Sequence, residues 1–187
     1  MAYDFFGIPV TELNVWLIWL LPFAAAMIIP AVGKFSKLST GRVAVAFAAM
    51  SAISAATLFP MALEAHEIHH QIMWIDAIGL KAGVLADPLS VIMANVVGWI
   101  SFLIMCYSTG YMKGDKDITR FWFCMMFFIG SMQLIILSDN LLQVFFGWEG
   151  VGLASYALIS FWYRDKKKDH VGQEGRTALG IMEYFSP

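Results

Sequence analysis

Five long apolar stretches, free of charge apart from one residue, constrain the fold of this chain more than any other feature. Each has at least 18 residues, close to the roughly 20 that a helix needs to cross a ~30 Å hydrocarbon layer. A composition that is 59% hydrophobic exceeds what a soluble domain of 187 residues can bury. The sequence therefore predicts an all-α polytopic membrane protein with five transmembrane helices. The predicted spans are residues 13–33, 43–63, 88–112, 121–138 and 140–163.

The loop between the second and third spans has a different character. Residues 64–87 are polar, contain glycines and alternate in part between apolar and polar side chains. This pattern favours a short β-hairpin-like loop at the outer surface. Asp87 and Pro88 then resemble a helix N-cap followed by Pro at the first helical position, which predicts the start of the third helix. Asp139, or Ser138 before it, is expected to cap the fifth helix.

The basic residues predict the orientation in the membrane. Eleven of the twelve Lys and Arg residues fall on one side of the predicted spans, and only Lys81 falls on the other. The positive-inside rule then places the N-terminus outside and the C-terminal segment inside. We expect a membrane domain over residues 1–163 and a cytoplasmic tail or truncated loop over 164–187. The basic run at 166–168 is expected to lie near anionic lipid, with no role in nucleic-acid binding.

The fifth span contains a single ionisable residue, Glu149. At 1.5 Å rise per residue, Glu149 lies roughly 15 Å from the Asp139 end, near the middle of the membrane. An acidic residue at a helix centre costs about 3 kcal/mol in lipid, so it should face protein or a water-filled cavity. Helical spacing puts Tyr156 and Ser160 on the same face as Glu149. We therefore predict that Glu149 is a proton relay, supported by these two hydroxyl groups.

Small residues surround Glu149 in the sequence. Gly152 shares its face, while Gly147, Gly150 and Ala154 form a neighbouring strip that lets another helix approach closely. These glycines do not form a phosphate loop, because they lie within an apolar helix with no preceding strand. Two hypotheses for Glu149 remain: it belongs to a proton path, or it forms a hydrogen bond that serves helix assembly alone.

His66, Glu67 and His70 satisfy the H-E-x-x-H pattern of zinc metallopeptidases. A zinc site needs a stable helix, a third ligand and a substrate cleft. The pattern lies at the outer end of the second span beside a glycine-containing loop, and His170 is predicted on the other side of the membrane. We therefore reject these residues as metal ligands and keep an outward-facing metallopeptidase as a weak alternative. Cys106 and Cys124 fall inside apolar spans, so they predict neither a disulfide nor a metal site.

Three segments carry a resemblance to a known family. Residues 146–163, F-G-W-E-G-V-G-L-A-S-Y-A-L-I-S-F-W-Y, resemble the fifth-helix signature of the antiporter-like subunit L (chain 5) of respiratory complex I. Residues 85–90, L-A-D-P-L-S, and residues 107–112, Y-S-T-G-Y-M, resemble segments that open and close the family's third span. The family also includes the large subunit of multisubunit sodium/proton antiporters and the L subunit of F420H2 dehydrogenase.

The resemblance implies the N-terminal portion of a proton-translocating subunit in an NADH:quinone or F420H2 oxidoreductase, with Glu149 at the position of the family's membrane glutamate. It implies other membrane subunits as partners, with protons or sodium and lipid as further ligands. No redox cofactor is expected in this chain, and a prokaryotic plasma membrane is favoured over the inner mitochondrial membrane. Family members are much longer, and no Lys or Arg lies inside the five predicted spans. The cationic partner that the resemblance implies for Glu149 is therefore missing here.

Overall fold

The computed structural model describes residues 4–5, 8–64, 67–75 and 80–161, and the side chains of residues 12–64, 67–74 and 81–161. His66 and the predicted tail 164–187 lie outside these ranges. Within them, five helices are long and apolar enough to cross a membrane, as the sequence predicts. The all-α polytopic fold is confirmed, and the chain is an integral membrane protein. The helices are α1 (Val10–Phe35), α2 (Lys37–Thr57), the short α3 (Phe59–Leu63), α4 (Pro88–Tyr111), α5 (Ile118–Leu137) and α6 (Leu141–Ile159).

The second span is longer than predicted, and it is broken near the end that precedes the hairpin loop. It begins at Lys37, six residues before the predicted start at 43, because the Ser36 hydroxyl accepts a hydrogen bond from the Ser39 backbone N–H at 3.4 Å and caps α2. Long basic side chains are tolerated in the first turns because their aliphatic stems let the charge reach water. Pro60 lies in the first turn of α3 and lacks an N–H, which separates α3 from α2.

The fifth span differs from the prediction at both ends. Asn140, not Asp139 or Ser138, caps α6, since its side-chain oxygen accepts a hydrogen bond from the Gln143 backbone N–H at 2.9 Å. The helix ends at Ile159, whereas the absence of charge predicted a span to residue 163. Beyond it, the Phe161 ring packs against Phe121 of α5, with 5.8 Å between ring centroids. This tertiary contact lies where the prediction extended the helix, and hydropathy cannot detect it.

The predicted outer loop contains the expected β-hairpin. Strands β3 (Ile68–Ile75) and β4 (Leu80–Ala86) pair antiparallel, with an irregularity between Met73 and Ile75. Asp87 caps α4 by accepting a hydrogen bond from the Ser90 N–H at 2.7 Å, which confirms that start. The chain also has a two-residue antiparallel pair that was not predicted, β1 (Asp4–Phe5) with β2 (Ile8–Pro9).

Helix α5 is the centre of the bundle, since it contacts α1, α2, α4 and α6. Two apolar clusters fill the space between the helices. The cluster near the hairpin includes Ile18, Leu58, Val84 and Leu137. The other, toward the opposite end, includes Ile29, Met105, Trp122 and Met126. We call these two ends of the bundle the hairpin end and the basic end; the basic end carries Lys34, Lys37, Arg42, Lys113, Lys116 and Arg120.

Candidate functional site

The glycines of α6 determine how this helix packs against α5. A Cβ atom at Gly147 would lie 2.6 Å from Ile135 Cγ1 and 3.0 Å from the Ser131 carbonyl oxygen. A Cβ atom at Gly150 would lie 2.3 Å from Ser131 Oγ. Real Cβ atoms almost never come within 3.0 Å of a neighbour, so a larger residue at either position would require atoms of α5 to shift. Gly147, Gly150 and Ala154 are buried together, which fixes the side of α6 that faces α5.

Glu149 lies on the opposite side of α6, away from the bundle. It is exposed, as are its neighbours Trp148 and Leu153, at 70% and 62%. Gly152 has open space where a Cβ atom would be. Glu149 follows Leu141 by eight residues, about 12 Å along a helix of about 27 Å, so it lies near mid-depth. No hydrogen bond or ion pair joins its carboxylate to any residue that the structure describes.

Tyr156 and Ser160 lie closer to the basic end of α6, and both are half-buried. Ser160 is the C-cap residue, and its hydroxyl donates a hydrogen bond to the Tyr156 carbonyl oxygen at 2.9 Å. That proton is therefore engaged by the backbone in this structure. Tyr156 lies two turns from Glu149 along α6, one turn closer than Ser160.

Two family models match separate parts of the chain. The model described as "NADH-Ubiquinone oxidoreductase (complex I), chain 5 N-terminus" matches residues 73–122. The model described as "NADH:quinone oxidoreductase/Mrp antiporter, TM" matches residues 138–174, which include Glu149. The first match includes the motifs at residues 85–90 and 107–112, and the second includes the motif at residues 146–163.

Curated relatives agree with these matches. NADH-quinone oxidoreductase subunit L of Rickettsia bellii is 40% identical over 152 residues, covering 79% of this chain and 24% of that protein. The chain belongs to the antiporter-like subunit L family. Subunit L of Escherichia coli is 36% identical over 113 residues, covering 60% of this chain and 18% of that protein. The chain thus spans about a quarter or less of the length of these subunit L relatives.

A solved structure shares the fold. The Mrp complex from Dietzia sp. matches with a TM-score of 0.65 and 23% identity, covering 78% of this chain and 16% of that one. At this identity the likeness supports the helical arrangement alone. The role predicted for Glu149 from the subunit L signature remains a prediction.

The H-E-x-x-H pattern does not form a helix in the described part of this subunit L segment. Glu67 precedes β3, and His70 lies within that strand. The His70 ring instead accepts a hydrogen bond from Trp16 Nε1 at Nδ1, 3.2 Å away, and its Nε2 lies 3.6 Å from Glu12 Oε2. Among the residues with described placement, no group of three or more His, Cys, Asp or Glu side chains could hold a metal ion. His66 lies outside those residues.

Sequence reasoning missed a polar network that attaches the hairpin to the α5–α6 turn. Gln71 Nε2 donates to Asp139 Oδ2 at 2.7 Å, and His69 Nε2 lies 3.2 Å from the same oxygen. The Asp139 side chain is only 3% exposed. Burial raises the pKa of Asp139, but hydrogen bonds from Gln71, His69 and Asn140 outweigh it, so the pKa lies below its usual value. We call His69, Gln71 and Asp139 the outer clasp.

Two further contacts support the outer clasp. The Gly83 N–H donates to Gln143 Oε1 at 3.0 Å, joining β4 to α6. A Cβ atom at Gly83 would collide with the Asp139 carboxylate, so a larger residue here would displace Asp139 from its position in the clasp. Gly83 lies in the predicted hairpin, and this was the available signal for the contact, since a glycine in a strand often marks a close backbone approach. The partner could not be named, because it lies more than 50 residues away in the sequence.

Proposed function

We propose that this chain is the N-terminal portion of a proton-translocating membrane subunit of a complex I-like NADH:quinone oxidoreductase, with Glu149 in the proton path. The subunit L relatives and both family-model matches support the assignment. The main observation that supports this site is the position of Glu149. It is the one acidic residue of α6, and it lies at mid-depth on the exposed side of the helix. The proposal also covers a related F420H2 dehydrogenase, because we do not expect this chain to bind the electron donor.

The exposure of Glu149 has a physical consequence. A carboxylate facing hydrocarbon at mid-depth costs about 3 kcal/mol, so the side of α6 that carries Glu149 is covered by protein or by water in the assembled protein. The subunit L relatives are several times longer than this chain, and their additional length would supply that cover. The cationic partner of Glu149 would come from the same source. A movable cation beside a buried carboxylate lets the carboxylate change charge near neutral pH.

The remaining roles follow from this proposal. The chain takes part in catalysis as a translocase, without a redox or hydrolytic centre of its own. Its partners are other membrane subunits of the complex, with protons or sodium as the transported ion and lipid around the bundle. We place it in a prokaryotic plasma membrane with the hairpin end outside and the basic end inside, because the basic residues favour that orientation.

Substitution of Glu149 in the complete protein tests the proposal. In membrane vesicles energised by NADH, Glu149→Gln should reduce proton pumping to near background, because the amide cannot release a proton. Glu149→Asp should retain more activity, and both variants should assemble normally. Glu67→Gln is the matched control, since Glu67 is exposed at the hairpin end. Normal pumping by Glu149→Gln would contradict the proposal and support a purely structural role for this acid.

A second candidate function is the large subunit of a multisubunit sodium/proton antiporter. The family model that covers Glu149 includes Mrp antiporters, and an Mrp complex shares the fold. The two functions differ in their energy source. Proton movement driven by NADH oxidation favours the oxidoreductase, whereas proton movement driven only by a sodium gradient favours the antiporter. An outward-facing metallopeptidase would instead lose activity with a chelator and with His66→Ala.

A further inference from the structure

The basic end of the bundle contains an open cleft with a volume of about 490 Å³. This volume lies within the range of roughly 300–1,000 Å³ that is usual for ligand sites. The cleft lies between the end of α1, the start of α2, the α4–α5 loop and the first turns of α5. It is lined by Pro30, Lys37, Lys116, Asp117, Thr119, Arg120 and Phe123.

The charge of this cleft is positive. Three cations, Lys37, Lys116 and Arg120, face a single carboxylate, Asp117. Asp117 lies 4.0 Å from Arg120 and offsets part of one charge. Thr119 adds a hydroxyl group to the lining. An anion that accepts several hydrogen bonds would satisfy this set of groups, and phosphate oxygens do so.

Two of the three cations, Lys37 and Arg120, are held in place by the fold. Lys37 Nζ donates to the Lys116 carbonyl oxygen at 2.9 Å, which ties the α4–α5 loop to α2. The Arg120 guanidinium donates to the Phe161 carbonyl oxygen and lies 4.8 Å above the centre of the Phe161 ring. The Lys116 ammonium forms no hydrogen bond or ion pair with any residue in the described ranges. A ligand can therefore bind this ammonium without displacing a hydrogen bond or ion pair to a described residue.

The surroundings of the cleft indicate where the phosphate comes from. Pro30 and Phe123 form an apolar wall, and Met27, one turn from Pro30 on α1, is 76% exposed. Phe35 at the end of α1 and Leu38, which follows Lys37 in the sequence, are also exposed. The positive groups therefore adjoin apolar surface that continues along α1 toward the membrane interior. An anionic phospholipid matches both parts, with its headgroup phosphate on the cations and its acyl chains along α1.

We propose that this cleft, which we call the basic cleft, binds the phosphodiester headgroup of an anionic phospholipid. The inference is independent of the role of Glu149, because it depends only on residues at the basic end. Lys116 is the residue that best tests it, because its ammonium forms no hydrogen bond or ion pair with the residues that the structure describes.

The test compares lipid binding to the complete, delipidated protein by native mass spectrometry. Phosphatidylglycerol should bind more tightly than phosphatidylcholine, and Lys116→Gln should weaken phosphatidylglycerol binding about fivefold, as expected for one basic residue near a lipid surface. Lys116→Arg should restore binding. Lys113→Gln is the matched control, since Lys113 is exposed in the same loop but does not line the cleft.

Three results would overturn the proposal. Equal affinity for phosphatidylglycerol and phosphatidylcholine would exclude recognition of an anionic headgroup. An equal loss of binding in Lys113→Gln and Lys116→Gln would indicate general surface charge without a defined site. Displacement of phosphatidylglycerol by inorganic phosphate at an equal concentration would assign the cleft to soluble phosphate instead of lipid. Thermal unfolding of each variant in detergent shows whether the fold is intact.

Discussion

Asp139 and Glu149 lie ten residues apart in the sequence and have opposite surroundings. Asp139 is almost fully enclosed at the hairpin end and accepts hydrogen bonds from Gln71 and Asn140. Glu149 is exposed at mid-depth and has no partner in the part of the chain that the structure describes. A carboxylate with several donors is stabilised in its charged form, which suits a structural role. A carboxylate without local donors depends on groups that the rest of the protein provides.

The outer clasp should make stability depend on pH in the acid range. The folded-state pKa of Asp139 lies below the usual 3.8, so its stabilising contribution is present above about pH 4 and is lost as the pH falls through the lowered pKa. Asp139→Asn should lower the free energy of unfolding by about 1–3 kcal/mol at pH 7. It should also reduce the loss of stability on acidification. Thermal unfolding followed by tryptophan fluorescence between pH 7 and pH 3 measures both effects.

Glu67→Gln is the control for the outer clasp, because Glu67 is an exposed acid at the same end of the bundle. It should leave the unfolding temperature and its pH dependence nearly unchanged. A wild-type stability that is no more sensitive to acid than that of Asp139→Asn would show that ionisation of Asp139 does not stabilise the fold.

The two hydroxyl residues near Glu149 should differ in importance. Ser160→Ala should change proton pumping little, because the Ser160 hydroxyl already donates to a backbone carbonyl. Tyr156→Phe should slow pumping more, since the phenol is two turns from Glu149 on the same helix. NADH-driven acidification of vesicles compares the variants. A larger defect in Ser160→Ala than in Tyr156→Phe would contradict this order.

At the scale of elements, the packing of α6 on α5 is specified by glycine. Gly150→Ala should destabilise the protein by about 1–3 kcal/mol, because the new methyl group would collide with Ser131 Oγ. Gly152→Ala is the matched control, since it meets open space in the described part of the chain and gains up to about 1 kcal/mol in helix propensity. The unfolding temperature in detergent distinguishes the two.

A second substitution tests whether the collision itself is responsible. Ser131→Ala removes the oxygen nearest to the new methyl group, so it should recover part of the stability that Gly150→Ala loses. If the two changes are simply additive, the contact between Ser131 and residue 150 does not determine the helix packing.

The helices were predictable because length and hydropathy alone set the number of spans. The start of α4 was predictable as well, since Asp87 and Pro88 are local signals. The end of α6 was not, because the apolar pattern continues past Ile159 and the packing of Phe161 against α5 has no local signal. The outer clasp was missed for the same reason, since Gln71 and Asp139 are 68 residues apart. Gly150 was correctly placed in a packing strip, whereas its partner Ser131 required the structure.

For the whole molecule, the distribution of charge predicts its orientation. In intact cells, a cysteine introduced at Ile72 in the hairpin should react with a membrane-impermeant thiol reagent, because Ile72 is exposed at the hairpin end. A cysteine at Lys113 should react only after the cells are opened. The opposite result would invert the proposed orientation. Cys106 and Cys124 are free thiols, so they are replaced before the new cysteine is introduced. The protein without an introduced cysteine is the control.

The central claim is that the open face of α6 becomes a protein-lined or hydrated path in the complete molecule. The most direct measurement is a high-resolution structure of the complete protein in its membrane complex. The quantity to measure is the distance from the Glu149 carboxylate to its nearest polar neighbour. The account predicts a basic side chain or an ordered water within about 3 Å of a carboxylate oxygen. Lipid acyl chains packed around Glu149, with no polar group in reach, would contradict it.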